Sequence, residues 1–150
     1  MRLFENAWRY RASAILLALL AGTAQADTSR QEFTAALQKW QAAGIHDYSF
    51  TLNQTCFCLG LQPVRITVRD GKVLRATNVR DGTAIKPAEV GQPLTLTGIF
   101  QKIEAAYAKP ADHITLTLNP DYGYPEHVYI DYIEMMADEE LGYTISDFTR

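Results

Sequence analysis

The sequence predicts an α+β domain: a duplicated helix–three-strand unit, giving an antiparallel sheet with two helices packed on one face. Three observations predict it. Two stretches carry apolar residues at helical spacing, Phe33-Ala36-Leu37-Trp40 and Ile99-Phe100-Ile103-Ala106-Tyr107. Each is followed by runs in which apolar and polar residues alternate. The halves also share short motifs: DYSFTLN (47–53) follows the first helical stretch and DHITLTLN (112–119) the second, with PVRITV (63–68) and PEHVYI (125–130) at similar spacing behind them. A unit of this kind buries one sheet face under a helix.

Taken in order, Ser29 with Glu32 three residues on has the spacing of a capping box for the first helix, which Gly44 ends. Tyr48, Phe50 and Leu52 then alternate as a strand. Val64, Ile66 and Val68 alternate with Arg65, Thr67 and Arg69 in the next. Asp70-Gly71 marks a hairpin turn. Keeping apolar residues on one side favours a three-residue loop, Arg69-Asp70-Gly71, which sets Leu74 and Ala76 on the face of Ile66 and Val64. Val73–Val79 completes the first half. Arg80–Thr95, with Gly82, Pro87 and Pro93, is the connector. The second helix runs from about Thr97 to Ala108 and is closed by Pro110. The last strand covers Tyr143–Phe148.

The first 26 residues have the three parts of a secretory signal peptide: a basic start (Arg2, Arg9, Arg11), an apolar run from Ala12 to Ala21, and small residues at Ala24 and Ala26. The apolar run is too short to span a bilayer, which takes about 20 residues. The expected organisation is therefore a signal peptide over 1–26 and a single exported α+β domain over 27–150, periplasmic or secreted, with no membrane span after cleavage. Past Ala26 the chain has 11 basic and 16 acidic residues, a net charge of −5. That balance argues against nucleic acid as a partner. Charge is unevenly spread: Arg65–Lys86 holds six basic and two acidic residues, Asp112–Arg150 nine acidic and one basic. Two solvated faces of opposite sign, or a face for a charged partner, both fit.

The segment Asn119–Phe148, NPDYGYPEHVYIDYIEMMADEELGYTISDF, together with Cys56, Cys58, PVRITV and DGKV (70–73), resembles a family of small exported bacterial proteins known only as a domain of unknown function. The resemblance covers nearly all of the chain past residue 26. It implies the compartment and an α+β fold, and it brings no activity. Many such relatives carry a lipid anchor; here the Ala-Gln-Ala cut replaces it. The helix-plus-sheet duplication is also similar to β-lactamase-inhibitor-like modules, a likeness of fold alone.

Cys56 and Cys58 are the only cysteines. In an oxidising compartment two thiols this close tend to pair. A straight strand holds residues i and i+2 about 6.5–7 Å apart, at the limit of what a disulfide accepts. The pair is assigned as a disulfide across a bend near Gly60 and Pro63, one that shapes a turn more than it stabilises the fold. Three alternatives stay open: a soft-metal site for copper or zinc, a redox-active or intermolecular pair, and inert buried thiols. His46, His113 and His127 are scattered and supply no ligand spacing.

NPDYGYP is rich in turn formers. Its tyrosines either cover the sheet edge or form a recognition loop, and the candidate binding residues are Asp121, Tyr122, Tyr124 and Asp131. The acidic group Asp131, Glu134, Asp138, Glu139 and Glu140 lacks the spacing of a calcium loop. No nucleophile elbow, phosphate loop or zinc motif occurs, so no catalytic residue and no cofactor is assigned. The sequence reads as an exported envelope protein of unknown activity. The preferred reading is a non-catalytic binding or structural module for a protein or small-molecule ligand of the envelope. The alternative is a thiol- or metal-dependent activity at Cys56 and Cys58.

Overall fold

The structure, a computed structural model, describes residues 29–56, 62–86, 95–109, 111–133 and 139–150. The chain divides into two compact units, Met1–Thr34 and Ala35–Arg150. In the first, residues 29–34 are helical and Thr34 Oγ1 donates to the Arg30 carbonyl at 2.8 Å. In the second, this helix, α1, continues through residue 43. Ser29, expected as the cap, is already helical. The other end is as expected: Gly44 takes a φ of +59°, and its N–H closes on the Gln41 carbonyl.

Six strands follow, interrupted by one helix: β1 (Tyr48–Cys56), β2 (Val64–Arg69), β3 (Lys72–Asn78), α2 (Leu96–Ala108), β4 (His113–Leu118), β5 (Pro125–Asp131) and β6 (Leu141–Thr149). They form one antiparallel sheet in the order β3-β2-β1-β6-β5-β4. Among the described residues the protein is thus α+β, with two helices and a six-stranded sheet. Among the described residues no helix is long and apolar enough to cross a membrane.

Register follows the apolar alternation. Tyr48, Phe50 and Leu52 stand opposite Val68, Ile66 and Val64, and all six are buried. Val128, Ile130, Tyr143 and Ile145 continue the same buried layer through β5 and β6. The other face carries Ser49, Thr51, Asn53, Thr67, Thr115, Thr117 and Thr144, half-buried or exposed. α2 begins one residue before the expected start, because Thr95 is its cap: Thr95 Oγ1 accepts from the Gly98 N–H at 3.0 Å. The expected stripe Ile99, Phe100, Ile103 and Ala106 is buried, joined by Leu96. The Leu96 N–H, one of the donors a helix start leaves unpaired, donates to Tyr48 Oη at 3.1 Å. That bond ties α2 to β1. Pro110, expected to close α2, lies outside the described residues.

The β2–β3 hairpin corrects the sequence reading. The loop has two residues, not three: Arg69 pairs with Lys72 and Val68 with Val73. Asp70 and Gly71 both take positive φ, +50° and +71°, the pattern of a type I′ turn. The tight turn would put Ile66 opposite Arg75, and the sheet avoids this with a bulge one step in. Beyond it Thr67 faces Arg75 and Ile66 faces Ala76. Ala76 therefore reaches the core as expected (3 % exposed), while Leu74, on the bulge, is turned out (68 % exposed). Part of the connector folds back on this edge: Ala84 bridges Thr77, and the Ile85 N–H donates to the Ala76 carbonyl at 2.9 Å. A second bulge falls in β6 opposite Phe50, where Asp147 takes a φ of +51°.

Candidate functional site

The β4–β5 turn is built by Asn119. Its Oδ1 accepts the N–H groups of Asp121 (3.1 Å) and Tyr122 (2.9 Å), an Asx-type turn. Its Nδ2 donates to Glu126 Oε1 at 2.8 Å and to Tyr124 Oη at 3.4 Å. The Asn119 N–H donates to the Tyr124 carbonyl and the Gly123 N–H to the Asn119 carbonyl. All the hydrogen-bonding groups of one side chain and its own peptide are thus spent on holding six residues.

This loop is docked on α1. Gly123 has a φ of +81°, and a Cβ placed there would run into the carbonyl oxygen of Ala36 and come within 3.1 Å of Lys39 Cβ. Glycine is required twice over, by its φ and by the close approach. Lys39 Nζ also donates to the Pro120 carbonyl.

Beneath the loop lies an aromatic cluster. Tyr124 stacks on Phe148 with centroids 4.6 Å apart, and Trp40 meets Tyr124 and Phe148 edge-on at 6.2 Å each. Trp40 also stacks on Phe100 of α2 at 6.5 Å and meets Tyr48 edge-on at 5.5 Å. Tyr122 lies 5.8 Å from Phe148, and the Arg150 guanidinium sits over the Tyr122 ring, 4.9 Å from its centroid. The β6 bulge at Asp147 is what brings Phe148 to this layer. Burial, then the neighbouring charges of Glu126 and Asp121, push the Tyr124 hydroxyl up from its ordinary pKa, so it stays a neutral partner for Asn119.

The candidate residues do not all meet. Asp121 is exposed, Tyr122 half-buried and Tyr124 buried, all on this one turn. Asp131 ends β5 at its far end, about 20 Å along the strand. It is buried, lies opposite His113, and accepts the Ile133 N–H at 3.1 Å. Of the acidic group, Glu139 and Glu140 are exposed; Glu134 and Asp138 lie outside the described residues. Cys56 ends β1, opposite Leu141 of β6. Its side chain and Cys58 lie outside the described residues. Among the described residues no three His, Cys, Asp or Glu side chains gather as metal ligands.

Sequence reasoning missed Arg150, Lys39 and Phe148 as parts of this site. The last was legible in principle, since an aromatic residue near the chain end in a strand read as TISDF had no stated partner. A hollow of about 200 Å³ beside the cluster is lined by Leu37, Trp40, Gln41, His46, Thr97 and Phe100, among others. It is smaller than the roughly 300–1,000 Å³ of most small-molecule sites.

A family model described as a family of unknown function, DUF6174, matches residues 32–150. The chain belongs to DUF6174. The matched span of this DUF6174 member begins inside α1 and includes the whole sheet, the Asn119 turn and the aromatic cluster. No curated protein and no solved structure matches it.

Proposed function

We propose that this protein is exported to the cell envelope and acts as a non-catalytic binding module, with the turn Asn119–Tyr124 as its recognition loop. The observation that carries this is a loop fixed in advance and set on an aromatic base. Binding loops held in their bound shape avoid the ordering cost of association. Asp121 and Tyr122 offer the outward carboxylate and ring, Arg150 brackets the ring with a cation, and Tyr124 supports them from below. Aromatic and arginine side chains are the usual anchors of protein interfaces. Asp131, buried at the other end of β5, lies apart from this recognition loop. The ligand is a protein or small molecule of the periplasm or the extracellular space. Export is supported by the three-part leader over 1–26.

Two structural readings belong to the same proposal. The chain is a duplicated helix–three-strand unit with both helices on one sheet face. The support is that β1 and β4 hold the same place in successive three-strand meanders, and that Trp40 of α1 stacks on Phe100 of α2. Cys56, the last residue of β1, and Cys58, two residues on, are joined by a bridge that would shape the turn toward β2 rather than staple distant parts.

The test is a photo-cross-linking residue at position 121, expressed in the protein's own host and compartment, with the exposed Lys102 of α2 as the control position. A discrete adduct from position 121, absent from 102 and lost with Tyr122→Ala, is the expected result. No adduct, or the same adduct from both positions, contradicts the proposal.

A further inference from the structure

β3 is one edge of the sheet, and its charge is one-sided. From Lys72 to Arg80 the chain carries three cations, Lys72, Arg75 and Arg80, and no carboxylate. All three are exposed, and among the described residues their side chains have no hydrogen-bond or ion-pair partner. Other cations of the protein are engaged. Arg65 donates to the Asp147 carbonyl and to Thr149 Oγ1, Lys39 donates to the Pro120 carbonyl, and Arg150 sits over the Tyr122 ring. Asp81, the next carboxylate along the chain, is turned into its own loop, where it accepts the Thr83 N–H at 2.9 Å and the Thr83 hydroxyl at 2.7 Å. Asp70, whose N–H donates to Asp47 Oδ1, marks the hairpin tip, where Arg69 is the neighbouring cation.

Charged side chains guard an edge strand against pairing with another chain. This edge has a second guard, because residues 83–85 lie along it: the Asn78 N–H donates to the Thr83 carbonyl and the Ile85 N–H to the Ala76 carbonyl. Guarding does not explain the aliphatic residues set among the cations. Among the described residues three large hydrophobic side chains are exposed, and two of them, Leu74 and Val79, belong to this edge. Leu74 stands between Lys72 and Arg75 in the chain, and Val79 between Arg75 and Arg80. Other acids lie across the sheet: Glu126 and Asp131 are on β5, four strand spacings from β3, or roughly 19 Å. Salt screens charge over about 8 Å, so a surface touching β3 meets its cations before the protein's net negative charge.

We propose that the β3 edge docks on an anionic lipid surface. Leu74 and Val79 enter the boundary between headgroups and acyl chains, while Lys72, Arg75 and Arg80 stay with the lipid phosphates. Charge complementarity makes the occupant anionic. The aliphatic side chains among the cations make it a lipid surface rather than a soluble polyanion, because such surfaces reward apolar burial and cationic charge together. A peptide adding to the sheet is disfavoured, since the Asn78 N–H and the Ala76 carbonyl already have partners in residues 83–85. Each cation near an anionic bilayer strengthens binding about fivefold, so three give about a hundredfold over a neutral surface, a reversible attachment. This surface is separate from the Asn119–Tyr124 loop. That loop joins β4 and β5 on the opposite side of the sheet, so a docked molecule carries it away from the lipid.

The experiment is co-sedimentation of the exported protein with two kinds of vesicle, phosphatidylcholine alone and equal parts phosphatidylcholine and phosphatidylglycerol. It is run for the parent, Arg75→Glu, Leu74→Ser, Val79→Ser and, as a control, Lys102→Glu on α2, which packs against β5. All four positions are exposed, and unchanged urea midpoints check that the variants fold. The parent should bind the mixed vesicles, not the neutral ones, and should release as salt is raised. Arg75→Glu and Leu74→Ser should each weaken binding about fivefold or more, Val79→Ser should weaken it in the same direction, and Lys102→Glu should leave it unchanged. A parent that ignores the mixed vesicles overturns the proposal, even if the edge captures an acidic protein. A loss with Lys102→Glu as large as with Arg75→Glu overturns it, because net charge and not this edge then decides. Binding that both serine variants leave unchanged also overturns it, since no aliphatic side chain then enters the lipid.

Discussion

Gly123→Ala is the substitution that bears most on how the recognition loop is held. Two costs add. The residue keeps a φ of +81°, in the left-handed region, where a side chain costs about 1–2 kcal/mol. The new Cβ also meets the backbone carbonyl of Ala36, an atom fixed in α1 that cannot turn aside as a flexible side chain would. Overpacking of this kind costs about 1–3 kcal/mol. The expected loss is about 3 kcal/mol. Gly71→Ala separates the two terms, because Gly71 has a similar φ of +71° and nothing within 4 Å of the added atom. It should lose only the backbone term. Urea unfolding of both variants against the parent, with unchanged m-values, gives the comparison. If Gly123→Ala loses no more than Gly71→Ala, the loop is not seated on α1 as described.

Other outcomes are expected. Intact mass of the exported protein should begin at Asp27; retention of residues 1–26 would count against export by cleavage. Replacing Cys56 and Cys58 together with serine should cost about 1 kcal/mol or less in urea unfolding, since a very small loop removes little unfolded-state entropy; a loss above about 3 kcal/mol would make the pair a main staple. The Tyr48 hydroxyl is pushed up to about 12, chiefly by burial and partly offset by its bond from the Leu96 N–H. Below pH 10 both folded and unfolded chains hold this proton. Between pH 10 and about 12 the unfolded state loses it first, so stability is full below pH 10 and falls as pH rises through that window. Tyr48→Phe should therefore cost about 1 kcal/mol at neutral pH, by orphaning the Leu96 N–H, and flatten the alkaline fall in a pH series of urea midpoints.

Much of the fold was legible because it follows from periodicity. Phe50, Ile66 and Ile103 sit where alternation or helical spacing puts them, and every expected strand exists within a few residues. What was not legible came from non-local bargains. The Asp-Gly turn was readable, but the bulge at Leu74 answers a conflict between turn type and the partner strand's alternation, which no local pattern displays. The Asp147 bulge is of the same kind, and it alone brings Phe148 beneath the loop. Asn119 reads as a turn former in sequence, while its hold on Glu126 and the need for Gly123 arise only once α1 lies alongside. Asp131 shared a motif with Tyr122 in sequence, but a strand runs between them, so adjacency in the chain did not become adjacency in space. The sequence named the surface-charge imbalance without showing that Arg65 is engaged locally, its Nη1 donating to the Asp147 carbonyl at 2.7 Å.

The proposed binding function needs a recognition loop that exists before any ligand reaches it, and amide hydrogen exchange on the ligand-free exported protein tests that most directly. The Asn119, Tyr122 and Gly123 N–H groups each have an acceptor within the turn: the Tyr124 carbonyl at 2.8 Å, Asn119 Oδ1 at 2.9 Å and the Asn119 carbonyl at 2.9 Å. They should exchange about 100-fold or more slowly than the same amides in an unstructured chain, and Asn119→Ala should release Tyr122 in particular. Exchange of all three at the unstructured rate in the parent protein would mean that the loop is not formed in advance, and the proposed binding function would lose its structural basis.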